Sequence, residues 1–267
     1  MTDNGRVGTR GRAVVTGGSS GIGRAFAERL AARGLDLTLV ARGAERLDAP
    51  AQEIRAMHGV DVQTIAADLS TPLGLDQVEA HVRQVEGLRL LVNNAGFGTT
   101  GPFAQSDIDI EEQQIRLNVL AVVRLTHAAL TRMVPTGRGG IINVSSVAGF
   151  QPGPLDATYA ATKAYITNFT EALYEELRGS GVRVQALCPG FTRTAFQQRA
   201  GWSQRAVPGF AWQEADDVVE ASLRALGRNQ AVCVPGWHNK VLVATSTKSP
   251  RALVRRISGI FSCRAFR

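Results

Sequence analysis

Three cysteines in 267 residues, Cys188, Cys233 and Cys263, form no CxxC pair. The chain therefore offers neither a disulfide framework nor a zinc site, and each cysteine is expected to be a small core or surface residue. No apolar run approaches the roughly 20 residues that span a bilayer; Ala13 to Val15, Leu37 to Val40 and Gly140 to Val144 are far shorter. Met1 to Arg12 lack the apolar stretch of a signal peptide. Low-complexity tracts are absent as well, and 44% hydrophobic against 20% charged residues exclude a disordered chain. Together these absences predict a cytoplasmic globular protein with no transmembrane segment and no metal, folded as one domain over residues 1–267.

Acidic residues are missing after Glu220. Residues 1–220 carry 21 basic and 23 acidic side chains, whereas residues 221–267 carry nine basic and no acidic ones, which accounts for the net charge of +7. Within this basic tail (about 240–267), Leu253, Ile257, Ile260 and Phe261 fall at helical spacing among Arg251, Arg255, Arg256 and Arg264. The pattern over Pro250 to Arg267 predicts a basic amphipathic helix. Such a helix either makes peripheral contact with a membrane or acyl carrier, or packs on its own domain, covers a site or joins a subunit interface. Nothing resembles a nucleic-acid module, so no nucleic-acid partner is expected.

Short β-branched or leucine-rich runs recur at Arg12 to Thr16, Asp36 to Ala41, Asp61 to Ala66, Leu88 to Asn93, Gly140 to Ser145, Val182 to Leu187 and Ala231 to Val234. These predict about seven buried strands. Between them apolar residues repeat at three-and-four spacing, as in Ile22, Phe26 and Leu30, in Val119, Val122, Val123, Thr126 and Leu130, and in Tyr165, Phe169, Leu173 and Leu177. Alternation from end to end implies right-handed βαβ units, hence an α/β doubly wound parallel sheet of the Rossmann type with helices on both faces. Ligands of such sheets lie beyond the carboxyl ends of the strands.

The first strand runs into Gly17-Gly18-Ser19-Ser20-Gly21-Ile22-Gly23 and then a helix from Arg24 to Arg33. Glycine at 17, 21 and 23 lets backbone amides approach a pyrophosphate that the helix N-terminus attracts. The TGxxxGxG spacing resembles the short-chain dehydrogenase/reductase superfamily rather than the common GxGxxG turn. The second strand ends in Ala41-Arg42, without the carboxylate that usually holds a ribose 2′-hydroxyl. Arg42 can instead pair with a 2′-phosphate, helped by Arg24 or Arg46, which favours NADP(H); as the alternative, Arg42 is a solvated surface residue. The resemblance further implies that Asp68 and the Leu69 backbone hold the adenine, with a helix N-cap as the alternative for Asp68. It also implies that Asn93-Asn94-Ala95-Gly96 stabilises the sheet and lets the cofactor approach.

Tyr159 and Lys163 lie at i, i+4 on a predicted helix, one turn apart on one face. An isolated phenol titrates near pH 10, and a neighbouring cation is expected to lower that value. Thirteen residues upstream, Ser146 closes the fifth strand. The ordered set of motifs extends the resemblance over about residues 12–235. It implies that Tyr159 exchanges the proton with the carbonyl oxygen, Ser146 polarises that oxygen, Lys163 also holds the nicotinamide ribose, and Asn118 orders a water. The family's spacing to the tyrosine, by the same resemblance, points to Ser146 rather than Ser145. Cys188-Pro189-Gly190-Phe191-Thr192-Arg193-Thr194 resembles the turn whose threonine contacts the nicotinamide amide, with Thr194 first and Thr192 second; both are also plausible N-caps.

Residues 191–213 stand where the superfamily carries its substrate lid, and Phe196, Trp202, Phe210 and Trp212 make it aromatic. The aromatics either face an apolar substrate or pack the lid to the core; Phe97, Phe150, Pro152 and Leu155 are expected to line the same pocket. The resemblance thus implies an NADP(H)-dependent reductase of an apolar ketone or 3-oxoacyl-type substrate, a small molecule. Its alternatives are an NADP-binding regulator or scaffold without turnover, and an epimerase or dehydratase. It also implies a homodimer or homotetramer pairing the helices Asn118 to Met133 and Ala157 to Arg178.

Overall fold

In a computed structural model describing residues 10–196, 200 and 208–265, seven parallel strands form one sheet in the order β3-β2-β1-β4-β5-β6-β7. The strands are β1 Arg12–Thr16, β2 Asp36–Ala41, β3 Val62–Ala66, β4 Leu88–Asn93, β5 Gly139–Val144, β6 Val182–Leu187 and β7 Val232–Cys233. All seven lie where their runs predict them, with ends moved by a residue or so. The central strands are buried on both faces, as continuous runs such as Val14-Val15 require.

The helices are α1 Gly21–Ala31, α2 Glu45–His58, α3 Pro72–Gln84, α4 Ile108–Ile115, α5 Ala121–Thr136, α6 Ala157–Glu176, α7 Ala215–Gly227, α8 Trp237–Lys248 and α9 Arg251–Ala265. One core packs α1, α2 and α7 on one face of the sheet through Phe26, Leu30, Leu47, Ile54, Val218 and Val219. The other seats α3 and α5 through Val78, Val82, Leu125, Ala129 and Met133. Helices on both faces bring the loops after β1 and β4 apart where the strand order reverses, and a crevice opens there.

Two features depart from the sequence reading. The continuous helical stretch Ile108–Thr136 contains an 18-residue window of mean hydropathy 1.2 and so has the length and composition of a bilayer span; its apolar side is nevertheless the one that packs on the sheet. On α6, the stripe Tyr165, Phe169 and Leu173 does not form the fully buried face. Ala160, Thr162, Lys163, Ile166, Thr167 and Thr170 do, while Tyr165 is 47% exposed. That polar inner face survives because its groups find partners: Thr170 Oγ1 accepts from Asn143 Nδ2 at 3.0 Å, and Thr167 Oγ1 meets Ser145 Oγ at 2.8 Å.

Candidate active site

A cleft of about 480 Å³ opens at the carboxyl ends of the strands, and the β1–α1 turn forms its floor. Gly17 and Gly21 sit at φ +67° and +56°, where side chains are strained. A Cβ on Gly17 would stand 2.6 Å from Asn94 Nδ2, and one on Gly23 only 2.2 Å from the Gly17 carbonyl oxygen. Ser20 begins α1 without a side-chain cap, so the first-turn amides are left for an anion. Asn94 Nδ2 holds the turn by donating to the Thr16 and Gly17 carbonyls at 2.9 and 3.3 Å, while Thr16 Oγ1 accepts from the Asn94 and Ala95 amides, both at 3.0 Å. Asn93 ties β4 to β5 and α5 by donating to Asn143 Oδ1 and Thr126 Oγ1.

Ser19, Ser20, Ile22, Arg42, Asp68, Leu69, Ala95 and Gly96 all line the cleft. Arg46 stands beside Arg42 there, but Arg24 does not: Glu28 and Glu53 hold it in ion pairs on the outer side of α1. Asp68 is not a helix cap, since Thr71 accepts from the Gly74 amide at the start of α3. Asp68 Oδ1 instead accepts from the Ser70 amide and hydroxyl at 2.9 and 2.7 Å. Gly23 lies one layer behind the wall, packed on Gly17.

Across the cleft, Ser146, Tyr159 and Lys163 converge. Ser146 Oγ accepts from the Ala148 amide at 3.1 Å, which fixes it at the head of the turn Val147–Phe150. Lys163 Nζ donates to the Val144 carbonyl at 2.8 Å and lies 5.7 Å from the Tyr159 ring centre. Burial pushes the lysine down to about 8. It also pushes the Tyr159 phenol up to about 12, the Ser146 hydroxyl opposing and the Asp156 charge reinforcing the rise. The expected lowering of the phenol by Lys163 is thus reversed, because desolvation disfavours the phenolate. Tyr159 stands as a neutral acid at physiological pH. Ser145 is turned away, its hydroxyl donating to the Lys163 carbonyl at 2.7 Å, so it braces α6.

Asn118 does not reach the wall. It is 1% exposed on the π turn Arg116–Leu120, where Oδ1 accepts from the Phe97 amide and Nδ2 donates to the Phe97 carbonyl and Thr162 Oγ1. A π turn commonly marks a functional site in a helix. Here it lets Asn118 fix the backbone around Gly96, a Cβ on which would lie 2.9 Å from Asn118 Oδ1 and 3.6 Å from Lys163 Nζ.

Pro189, Gly190, Thr192 and Thr194 line the far side. Thr192 Oγ1 donates to the Gly190 carbonyl at 3.1 Å, whereas Thr194 packs its methyl against Gly21 and accepts from the Phe196 amide. Phe97, Pro152, Phe191 and Phe196 provide an apolar wall, with Phe196 tilted on Tyr159 at 5.7 Å. Trp212 backs Phe191 instead of facing the cleft, Phe210 is 72% exposed outside it, and Trp202 falls outside the described residues. Phe150 and Leu155 do not line it either. Leu155 sits at φ +70° and faces a neighbouring cavity of about 320 Å³, while Phe150 ends its turn beyond the wall formed by Val147 and Ala148.

Asp156 and the α8 contact escaped the sequence reading. Asp156, buried between the cleft and the neighbouring cavity, has its carboxyl pushed up to about 6 by desolvation; an acid three residues before Tyr159 was the available signal. Ile257 and Ser258 of α9 border the cleft, the site-covering role weighed for this helix in the sequence, and Leu242 of α8, which no local pattern announces, joins them there. Cys188 is buried behind the site, and desolvation holds its thiol at about 12, so it remains a neutral core residue.

Known proteins resemble this chain in sequence and in fold. The macaque (Macaca fascicularis) very-long-chain 3-oxoacyl-CoA reductase is 36% identical over 186 residues, 68% of this chain; the chain spans only 59% of that relative's length. A short-chain dehydrogenase from Sphingobium yanoikuyae, solved in complex with NADPH, is 39% identical with a TM-score of 0.82, covering 94% of this chain and 95% of its own. A bulky-bulky ketone specific alcohol dehydrogenase from Comamonas testosteroni is 32% identical with a TM-score of 0.77, covering 91% and 96%. The sequence pattern of the short chain dehydrogenases matches residues 12–204, and the chain belongs to that family.

Proposed function

We propose that this protein is an NADPH-dependent reductase of an apolar carbonyl compound, with a 3-oxoacyl thioester as the leading substrate class. The observation that carries the reading is the convergence of Ser146, Tyr159 and Lys163 on a cleft whose other half is a glycine-built anion cradle. The residues fit a dinucleotide. The α1 amides suit its pyrophosphate, Asp68 and Leu69 its adenine, and Arg42 with Arg46 its 2′-phosphate, since Arg42 stands directly after β2 where a carboxylate would otherwise hold a 2′-hydroxyl. When bound, the nicotinamide supplies the hydride.

The chain's own groups handle the oxygen. Tyr159 Oη gives its proton to the developing alkoxide, and the neutral phenol described above is the protonation state that reduction needs. Ser146 Oγ donates a hydrogen bond to the same oxygen, stabilising charge as it develops. Lys163, fixed by Val144, keeps a cation beneath the phenol and strengthens this acid as its proton leaves. Phe97, Phe191 and Phe196 exclude water and favour an apolar chain. The macaque relative's name is that of a 3-oxoacyl-CoA reductase, and the Comamonas enzyme's that of a bulky-ketone dehydrogenase; both support this pocket chemistry. Loss of NADPH absorbance with 3-oxoacyl-CoA esters and bulky ketones, against NADH and the Tyr159→Phe variant, tests it. Turnover that prefers NADPH and vanishes in the variant is expected; turnover that survives Tyr159→Phe rejects the assignment. The chain also pairs through α6 and the helical stretch that leads into α5, where Tyr165 on α6, Ile115 at the end of α4 and Leu120 on the π turn are left 42–48% exposed, and light scattering should report a dimer or tetramer.

A further inference from the structure

The two C-terminal helices carry a surface that the reaction does not use. Among the described side chains of α9, Val254 and Ser258, one turn apart, are the buried ones. Asn239 anchors α8, donating to Gln213 Oε1 at 2.8 Å and to the Pro235 carbonyl at 2.9 Å. Beside the buried pair, Leu253, Ile257 and Ile260 repeat at i, i+4 and i+7 and are 50, 57 and 59% exposed; on α8, Trp237 and Val241 are 75 and 55% exposed. Apolar side chains so regularly spaced and uncovered mark an interaction face, unlike single exposed leucines. Leu242 and Ile257 both border the cleft and both reach solvent, so this face runs into the substrate end.

Charge decides what the face meets. Lys240, Lys248, Arg251, Arg255 and Arg256 are exposed on the same two helices, and no carboxylate among the described residues pairs with any of them. No acidic residue occurs after Glu220 to neutralise them. A second copy docking face to face would set like charges together. An acidic protein would meet the cations and leave the stripe's breadth unexplained. An anionic bilayer satisfies both, taking the apolar stripe into the headgroup boundary and the cations against lipid phosphates.

We propose that α8 and α9 dock this protein on an anionic lipid surface, holding the Leu242 and Ile257 edge of the cleft at the bilayer, where an apolar substrate can enter. The docking is read by binding alone, so it stands or falls separately from the reductase assignment. The test uses the full chain with vesicles of phosphatidylcholine alone or with roughly one-third phosphatidylglycerol. Expected are cosedimentation with the anionic vesicles only and a blue shift of emission as Trp237 leaves water. Leu253→Ser with Ile260→Ser, and separately Arg255→Glu with Arg256→Glu, should each weaken binding about tenfold or more while thermal unfolding stays within a degree or two of wild type. Leu242 and Ile257 are left intact because they line the cleft. Absence of cosedimentation, equal binding to both vesicles, or binding unchanged in both variants overturns the proposal. So does a variant that turns a dimer into a monomer without altering vesicle binding, which would make the occupant a second copy.

Discussion

Replacing Asp156 by asparagine should stabilise the protein near neutral pH and leave it unchanged in acid. Asp156 is 7% exposed, and burial raises its carboxyl from an ordinary 3.8 to about 6. The folded state therefore binds this proton more tightly than the unfolded chain. The resulting stability is fully present below about 3.8 and is lost as pH rises through about 6, above which the native state holds a buried carboxylate. A shift of about two units corresponds to about 3 kcal/mol at 1.36 kcal/mol per unit. Asparagine keeps the shape without the charge, so the variant should gain up to about 3 kcal/mol at neutral pH, or roughly 6–10 °C in Tm. Thermal unfolding of both proteins from about pH 4 to 8 measures the gap, which should close toward the acid end. A variant no more stable than wild type at neutral pH, or equally favoured at both ends, refutes the reasoning. Loss of the neighbouring anion should also lower the Tyr159 phenol, because the Asp156 charge raises it.

Ser146→Ala should cut kcat roughly 100- to 1000-fold with little change in stability, whereas Ser145→Ala should cost about 1–2 kcal/mol in urea unfolding and spare turnover, since its hydroxyl braces the Lys163 carbonyl and Thr167. Arg42→Ala should weaken NADPH binding roughly 10- to 100-fold and NADH binding little, and Arg24→Ala, whose guanidinium is held by Glu28 and Glu53, should change neither by titration calorimetry. The reduction rate should fall as pH rises through about 8, where Lys163 loses its proton while Tyr159 keeps its own; a flat rate across that range in a pH–rate profile would remove Lys163 from the reaction.

What the sequence disclosed and what it withheld divide along physical lines. Strands buried on both faces are unbroken apolar runs, and glycines at positive φ follow β1 directly, so the sheet, the Gly17 to Gly23 turn and the i, i+4 pair of Tyr159 and Lys163 could be read locally. Side chains whose role depends on distant partners could not. Arg24 and Arg46 are equivalent as letters, and only the ion pairs with Glu28 on α1 and Glu53 on α2 draw Arg24 away from the cleft. Leu155 belongs to the loop beside the site, and a left-handed backbone turns it to the other cavity. The inner face of α6 defied the apolar rule because Asn143, Ser145 and Asn118 on other elements supply its hydrogen bonds.

That polar face also explains how Tyr159 and Lys163 are held. A helix buried through leucine alone resists sliding only by shape, whereas Thr162, Thr167 and Thr170 each have a hydrogen-bonded partner on another element. Displacing α6 relative to β5 would leave several buried donors and acceptors unpaired at about 1–3 kcal/mol each. Lys163 adds the bond from Nζ to the Val144 carbonyl at the last residue of β5. Ser146, two residues beyond that carbonyl, is consequently referenced to the same strand end as the lysine, and Tyr159 to the same helix. The spacing between proton donor, cation and polarising hydroxyl is thus set by the register of one helix on one strand, which is the preorganisation that the proposed proton transfer requires.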